Sequence, residues 1–301
     1  MKILITGGKG QLGNELRRCL KTMKAEIGSI PEEYVGAQVD CIDYDALDIS
    51  DPHAVHAWFA ECGPYDLVIN GAAVTNVDGC ERDEASALHV NAFGPENLAR
   101  ECERCGAKLV QVSTDYVFAG DDPNLRVEDD PVRPISAYGR TKWAGEVLAV
   151  AACSRTFVVR TAWLYGYVGK NFVKTMLRLA HENGNISVVS DQMGNPTNAN
   201  DLAYEILKLA ATETYGTYHC TNEGTCSWFD FASAAVDLAG LACEKEPLTS
   251  AEYKARFPQS ADRPAYSSLR NLHLEETIGN EMRPWREALE MYMTNLQELG
   301  D

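Results

Sequence analysis

Residues 2–13 read KILITGGKGQLG, a short apolar run that breaks into glycines and then into a helical pattern. KILIT (2–6) has the composition of a strand covered on both faces, and Leu12, Leu16 and Leu20 form one stripe of a helix over 11–22. Between them, Gly7, Gly10 and Gly13 keep a three-residue spacing. In a strand–turn–helix unit, such glycines allow a tight turn, approach of a pyrophosphate to the backbone, and close packing of helix on strand. The helix N-terminus then faces the phosphates. The spacing is G-x-x-G-x-x-G, not the older G-x-G-x-x-G fingerprint. Tight turns use glycine even without a ligand, so the strand before and the helix after carry the dinucleotide reading.

The alternation continues. AQVDCID (37–43), DLVIN (66–70), KLVQVST (108–114) and TFVVRT (156–161) read as four further strands. Helices are expected over 52–62, 84–105 and 138–152. Strands alternating with helices predict an α/β fold, a doubly wound parallel sheet of the Rossmann type with helices on both faces. After about residue 160 the rhythm loosens, with helical patterns at 202–210, 228–240 and 284–299 and an irregular PQSADRPAYSSLRN (258–271). The expected division is a dinucleotide-binding domain over 1–160 and a smaller, mixed, mainly substrate-binding region over 161–301. Some segments of that second region are expected to return to the sheet.

The formal net charge of −17 repels nucleic acid and anionic membranes at long range. An anionic substrate must therefore be held by local cations in a cleft. MKILITGG runs directly into a strand pattern, so no secretory leader is expected, and no apolar run approaches the roughly 20 residues of a membrane span. The ten cysteines are scattered, which fits reduced thiols in a cytoplasmic protein. Cys102 and Cys105 form a lone C-x-x-C with no second pair or histidines at ligand spacing, so no metal site is expected.

The end of the second strand chooses between cofactors. An acidic side chain there bonds the adenine ribose 2′-hydroxyl and repels a 2′-phosphate. CIDYDALDIS (41–50) offers Asp43, Asp45 and Asp48 and no arginine. Asp43 is the expected ribose ligand, with NADH preferred over NADPH. The same aspartates also suit turn and helix capping, Asp51 before Pro52 above all. After the third strand, Gly71, Ala72 and Ala73 present a low backbone on which a cofactor could lie.

The fourth strand ends in VSTDYVF, which sets Ser113, Thr114 and Asp115 at the edge where ligands of such sheets bind. The next helix opens SAYGRTKWAGE (136–146), with Tyr138 and Lys142 one turn apart on one face. Alone, that pair equally describes an amphipathic helix with a lysine at its edge. Beside a hydroxyl at a strand end, it is a set suited to reducing a carbonyl.

Three strings, TGGKGQLG, STDYVF and YGRTK, together resemble the extended short-chain dehydrogenase/reductase family. The longer strings STDYVFAG, SAYGRTKWAGE, RTAWLYG, NFVKTMLRLA, DQMGNPT and RPAYSSLRN resemble a branch acting on nucleotide-linked sugars, and the likeness runs from residue 2 to about 290. The resemblance implies hydride transfer to the C4 keto group of dTDP-4-dehydro-L-rhamnose. Tyr138 is then the proton donor, Lys142 lowers its pKa and binds the nicotinamide ribose, and Thr114 bonds the carbonyl. Expected cofactor contacts are Gly7, Gly10, Gln11, Leu12, Gly13, Asp43, Asp48, Ile49, Ala72, Ala73, Thr75 and Val112, together with Tyr138 and Lys142. Asp115 and Trp163 match sugar-contacting positions, and Asn171 and Arg263 are expected at the diphosphate or nucleotide. Trp163 also suits a core, Asn171 a helix cap, and Arg263 a surface cation before a proline.

The expected partner is a small nucleotide sugar, with neither nucleic acid nor membrane, and a homodimer is compatible with the family. Some relatives associate through acidic residues and magnesium, but no motif for that is present. Two rival readings stand beside the first: a reductase of a related nucleotide sugar, and a non-catalytic binding subunit on the same fold. A binding subunit has no need of Thr114, Tyr138 and Lys142 together.

Overall fold

The computed structural model describes residues 1–300, with side chains through residue 298. Six parallel strands form its centre: β1 (Lys2–Thr6), β2 (Gln38–Cys41), β3 (Leu67–Asn70), β4 (Lys108–Thr114), β5 (Thr156–Thr161) and β6 (Gly216–His219). Their order is β6-β5-β4-β3-β1-β2. The chain moves outward from β1 to β2 on one side, then begins again with β3 on the other. A crevice opens at that reversal, beyond the carboxyl ends of β1 and β3.

Side-chain alternation along β1 feeds two cores. Ile3 and Ile5 join Leu12, Leu16, Leu202 and Ile206 on one face, under α1 (Gln11–Thr22) and a later helix, Ala199–Ala210. Leu4 joins Val55, Phe59, Leu98 and Ala149 on the other. That second layer comprises α2 (Pro52–Cys62), α3 (Gly94–Cys105) and α4 (Ala137–Ala152). Burial on both faces is why these strands are continuous apolar runs.

The expected helix over 84–105 is helical throughout but not uniform, because His89–Phe93 form a π turn between Glu84–Leu88 and α3. Asp51 caps α2 by accepting from the His53 and Ala54 backbones at 2.8 and 3.3 Å, the capping role expected of it. Ser136 caps α4 through the Gly139 N–H, which sets the start of the helix bearing Tyr138 and Lys142. Cys102 is buried and Cys105 exposed, and all ten cysteines are free thiols. The C-terminal segments form their own aromatic core around Tyr165, Phe231, Trp285 and Tyr292. No helix among the described residues is long and apolar enough to cross a membrane.

One buried ion pair braces the sheet behind the crevice. Arg160 on β5 and Glu146 on α4 are 4% and 5% exposed, with Nη2 2.8 Å from the carboxylate. Ser113 on β4 donates to the same carboxylate at 2.5 Å. Removing one partner strands a buried charge. Glu146→Ala should therefore cost about 3–5 kcal/mol of stability, measured by urea denaturation, with Glu146→Gln losing less.

Candidate active site

The turn after β1 has no room for a side chain at Gly7. Gly7 has φ +69°, and a Cβ there would lie 2.7 Å from the Gly71 carbonyl carbon and 2.8 Å from the Ala72 nitrogen. A Cβ on Gly13 would lie 2.5 Å from the Gly7 oxygen. The first glycine thus lets the ends of β1 and β3 approach, and the second lets α1 pack on the turn. Asn14 ties the turn from inside the helix, donating to the Gly8 and Gly10 carbonyls at 3.1 and 2.9 Å. Gly10 caps α1 without any side chain, and the first turn carries no acid. The amides and positive dipole end of α1 are left facing the crevice, which suits a diphosphate.

A buried polar chain levels the strand ends. Thr6 donates to Asn70 at 2.6 Å, Asn70 to Gln111 at 2.6 Å, and Gln111 to the Val112 carbonyl at 2.8 Å. Above it lies a cleft of about 800 Å³, running from the glycine turn to β4 and β5. Every expected cofactor residue lines it: Gly7, Gly10, Gln11, Leu12, Gly13, Asp43, Asp48, Ile49, Ala72, Ala73, Thr75 and Val112. Thr114, Asp115, Tyr138, Lys142 and Trp163 line the same cavity at its β4–β5 end. The cradle and the bare helix end fit a dinucleotide.

Asp43 sits at the rim beyond β2, where its carboxylate accepts from the Lys9 backbone at 2.9 Å and the Tyr44 backbone at 2.8 Å. Lys9 Nζ reaches Asp45 at 2.8 Å, an exposed pair at the same rim. At the other end, Thr114 Oγ1 donates to Asp115 at 2.9 Å. The second oxygen of Asp115 is buried and has no partner. Burial raises the Asp115 carboxyl to about 6, against opposing hydrogen bonds from neighbouring hydroxyls. Burial also raises the Tyr138 phenol, partly offset by the Thr114 hydroxyl, so it holds its proton at neutral pH. Lys142 is pushed down to about 8 by burial, with the charge of Glu146 opposing.

Three of the expected side chains have partners within the protein. Lys142 Nζ donates to the Val112 carbonyl at 2.6 Å, on the strand that also carries Thr114. Asn171 does not line the cleft. Its oxygen caps the helix Phe172–Asn183 through the Lys174 N–H, and its amide nitrogen donates to Gly166 and Gln11. Both N–H groups of the amide are thereby used within the protein. Arg263 also lies off the lining, 3.3 Å from Asp78, tying the 258–271 segment to the helix Val77–Arg82.

Asn91, absent from the expected site, sits in the π turn and is 1% exposed. It accepts from the Val74 N–H at 2.8 Å, donates to the Val74 carbonyl at 3.0 Å, and reaches Thr141 at 3.2 Å. It thereby clamps the loop after β3 to α4. The available signal was a poor helix former in the middle of a helical pattern.

This is a nicotinamide-type cleft with a hydroxyl–tyrosine–lysine set at its inner end, on a doubly wound sheet. A family model described as the RmlD substrate binding domain matches residues 1–298, and the chain belongs to that family. It is 40% identical over 292 residues to the spore coat polysaccharide biosynthesis protein SpsK of Bacillus subtilis, covering 97% of this chain and 96% of that one. The crystal structure of a dTDP-4-dehydrorhamnose reductase from Clostridium acetobutylicum superposes with a TM-score of 0.90 at 45% identity, covering 99% of this chain and 100% of that one. The dTDP-4-dehydrorhamnose reductase of Bacillus anthracis, solved in complex with NADP, gives 0.88 at 39% identity, covering 98% and 99%.

The lowered lysine has a titration signature. Below about pH 8, Lys142 is charged at a desolvation cost, and that cost is relieved as pH rises from about 8 to its unfolded value of 10.5. This group's contribution to stability therefore grows with pH in that window. With ¹³C-methylated lysines, one NMR resonance should titrate near pH 8 and be missing from Lys142→Met.

Proposed function

We propose that the protein is an NAD(P)H-dependent reductase that converts the C4 keto group of dTDP-4-dehydro-L-rhamnose to the alcohol, giving dTDP-L-rhamnose for cell-surface polysaccharide. The observation that carries this reading is the placement of Thr114, Tyr138 and Lys142 around one end of the cleft whose other end is the glycine turn. Full-length likeness to dTDP-4-dehydrorhamnose reductases supports the substrate.

Bound nicotinamide supplies the hydride. Thr114 turns its hydroxyl to the substrate carbonyl and orients it. Tyr138 gives its proton to the oxygen as charge develops there, a role that needs the phenol protonated, as burial keeps it. Lys142 lies one turn further along α4, so its charge favours the phenolate left behind while its ammonium holds the nicotinamide ribose. Asp115, with one oxygen unpartnered, accepts a sugar hydroxyl. Trp163 provides an apolar wall for the ring. Arg263 stands outside the cleft beside Asp78 and is placed to meet the nucleotide end of the substrate only if that contact gives way.

For the cofactor, Asp43 at the end of β2 favours a free ribose 2′-hydroxyl and hence NADH. Lys9, exposed at the same rim, is the cation that a 2′-phosphate meets, so NADPH is accepted second.

Purified protein incubated with dTDP-4-dehydrorhamnose should oxidise NADH and NADPH, with dTDP-L-rhamnose identified by NMR. Turnover of other keto sugars with none of this one would point to a sister reductase. Tyr138→Phe should lower kcat by roughly a hundredfold to ten-thousandfold while cofactor affinity stays near normal. Asp43→Ala should weaken NADH about tenfold, through loss of a charged hydrogen bond, and NADPH less. Equal losses for both cofactors would remove Asp43 from the ribose.

A further inference from the structure

Trp163 follows β5 with φ +47°, in the left-handed region that an aromatic side chain rarely adopts. Such a conformation costs free energy and persists only where the surroundings over-determine it. Two neighbours do so. The Trp228 indole lies parallel to that of Trp163, with ring centroids 3.5 Å apart and planes 9° from parallel. Against the face of the same ring, Gly194 leaves room that no other residue could, since a Cβ there would sit 2.4 Å from Trp163 Cε2.

Both neighbours belong to one small scaffold. Met193–Gly194 and Cys226–Ser227 form an antiparallel two-residue ladder, with Gly194 opposite Cys226. Ser227 then caps the helix Trp228–Leu238 through a capping box with Asp230. The ladder fixes Gly194, and the cap fixes Trp228 one residue after it. Phe172 backs Trp228 at 4.4 Å between centroids. The Trp163 carbonyl accepts from the Thr197 N–H at 3.2 Å, which anchors the backbone end of the strained residue. Trp163 lines the cleft beside Thr114 and Asp115, and Trp228 does not.

We propose that Trp228 is a positioning residue for the sugar. Together with Gly194, it clamps the Trp163 indole at the inner end of the cleft, as a fixed apolar wall for the C–H face and 6-methyl group of a 6-deoxy sugar. The proposal rests on the reductase reading above, in which the sugar ring meets Trp163. A wall held by stacking, rather than by its own backbone preference, governs how well the sugar is bound. It leaves the proton-transfer set and the cofactor end untouched.

The test separates these effects. Trp228→Leu keeps apolar bulk and removes the stack. It should raise KM for dTDP-4-dehydrorhamnose about tenfold, the upper range for a lost aromatic pair, with kcat within about threefold and NADH affinity unchanged. Trp228→Phe should restore most of the loss. Gly194→Ala, which leaves Trp228 in place but pushes the ring aside, should raise KM in the same selective way. It also carries the test if Trp228→Leu does not fold. Two indoles stacked this closely give an exciton couplet in circular dichroism, which should vanish in Trp228→Leu without substrate present. An unchanged KM in either folded variant, or kcat and NADH affinity falling in step with KM, would overturn the proposal. A wild-type protein that binds NADH but leaves the keto sugar unreduced would overturn the reductase reading and this proposal with it. That outcome is distinct from an active wild type whose variants are unaffected.

Discussion

The backbone of the first turn presses against the backbone leaving β3, so that a single carbon added to Gly7 would lie only 2.7–2.8 Å from it. Everything else in the site depends on that contact. It brings the carboxyl ends of β1 and β3 level, and the Thr6–Asn70–Gln111 chain carries the same level across to β4. Levelled strand ends make one continuous floor. An uncapped helix end stands over one part of it and a hydroxyl, a phenol and an amine over the other. A side chain at Gly7 would lift one edge of the floor and separate the phosphate site from the chemistry.

Burial sets the protonation states at the inner end of the cleft. Desolvation keeps the Tyr138 phenol protonated, lifts Asp115 to about 6 and pulls Lys142 down to about 8. All three shifts run towards the neutral form, as expected where charge is poorly solvated. Such a place is suited to delivering a proton when a hydride arrives. The Glu146–Arg160 pair sits just behind it, and the Glu146 charge partly opposes the lowering of Lys142.

Much of this was legible in the sequence because the relevant signals are local. The strand–glycine–helix unit, the apolar runs and the Tyr138–Lys142 spacing all act within one or two turns of chain, and the expected cofactor residues line the cleft. What the sequence did not contain has a different physics. Asn171 was available to a ligand in the sequence, but folding placed Gly166 and Gln11 against its amide. Helical spacing sets Lys142 near Tyr138, but only folding brought the Val112 carbonyl of another element to its ammonium. β6 is a four-residue strand of mixed polarity that pairs in parallel with β5 at the end of the sheet.

The sequence by itself determined the α/β class, the glycine turn, the start of α2 through its capping residue, and which side-chain chemistries stand at the end of β4 and the start of α4. Each of these follows from dihedral preference, periodicity or side-chain chemistry within a short stretch. Only the tertiary structure decided which polar groups were already satisfied, how far each was desolvated, and which distant elements met. Trp163 is the clearest case: its left-handed backbone is held by Trp228, 65 positions further along the chain, and by Gly194. Hydrogen-bond saturation, burial and stacking depend on what the folded chain brings alongside, and no local pattern of residues contains that information.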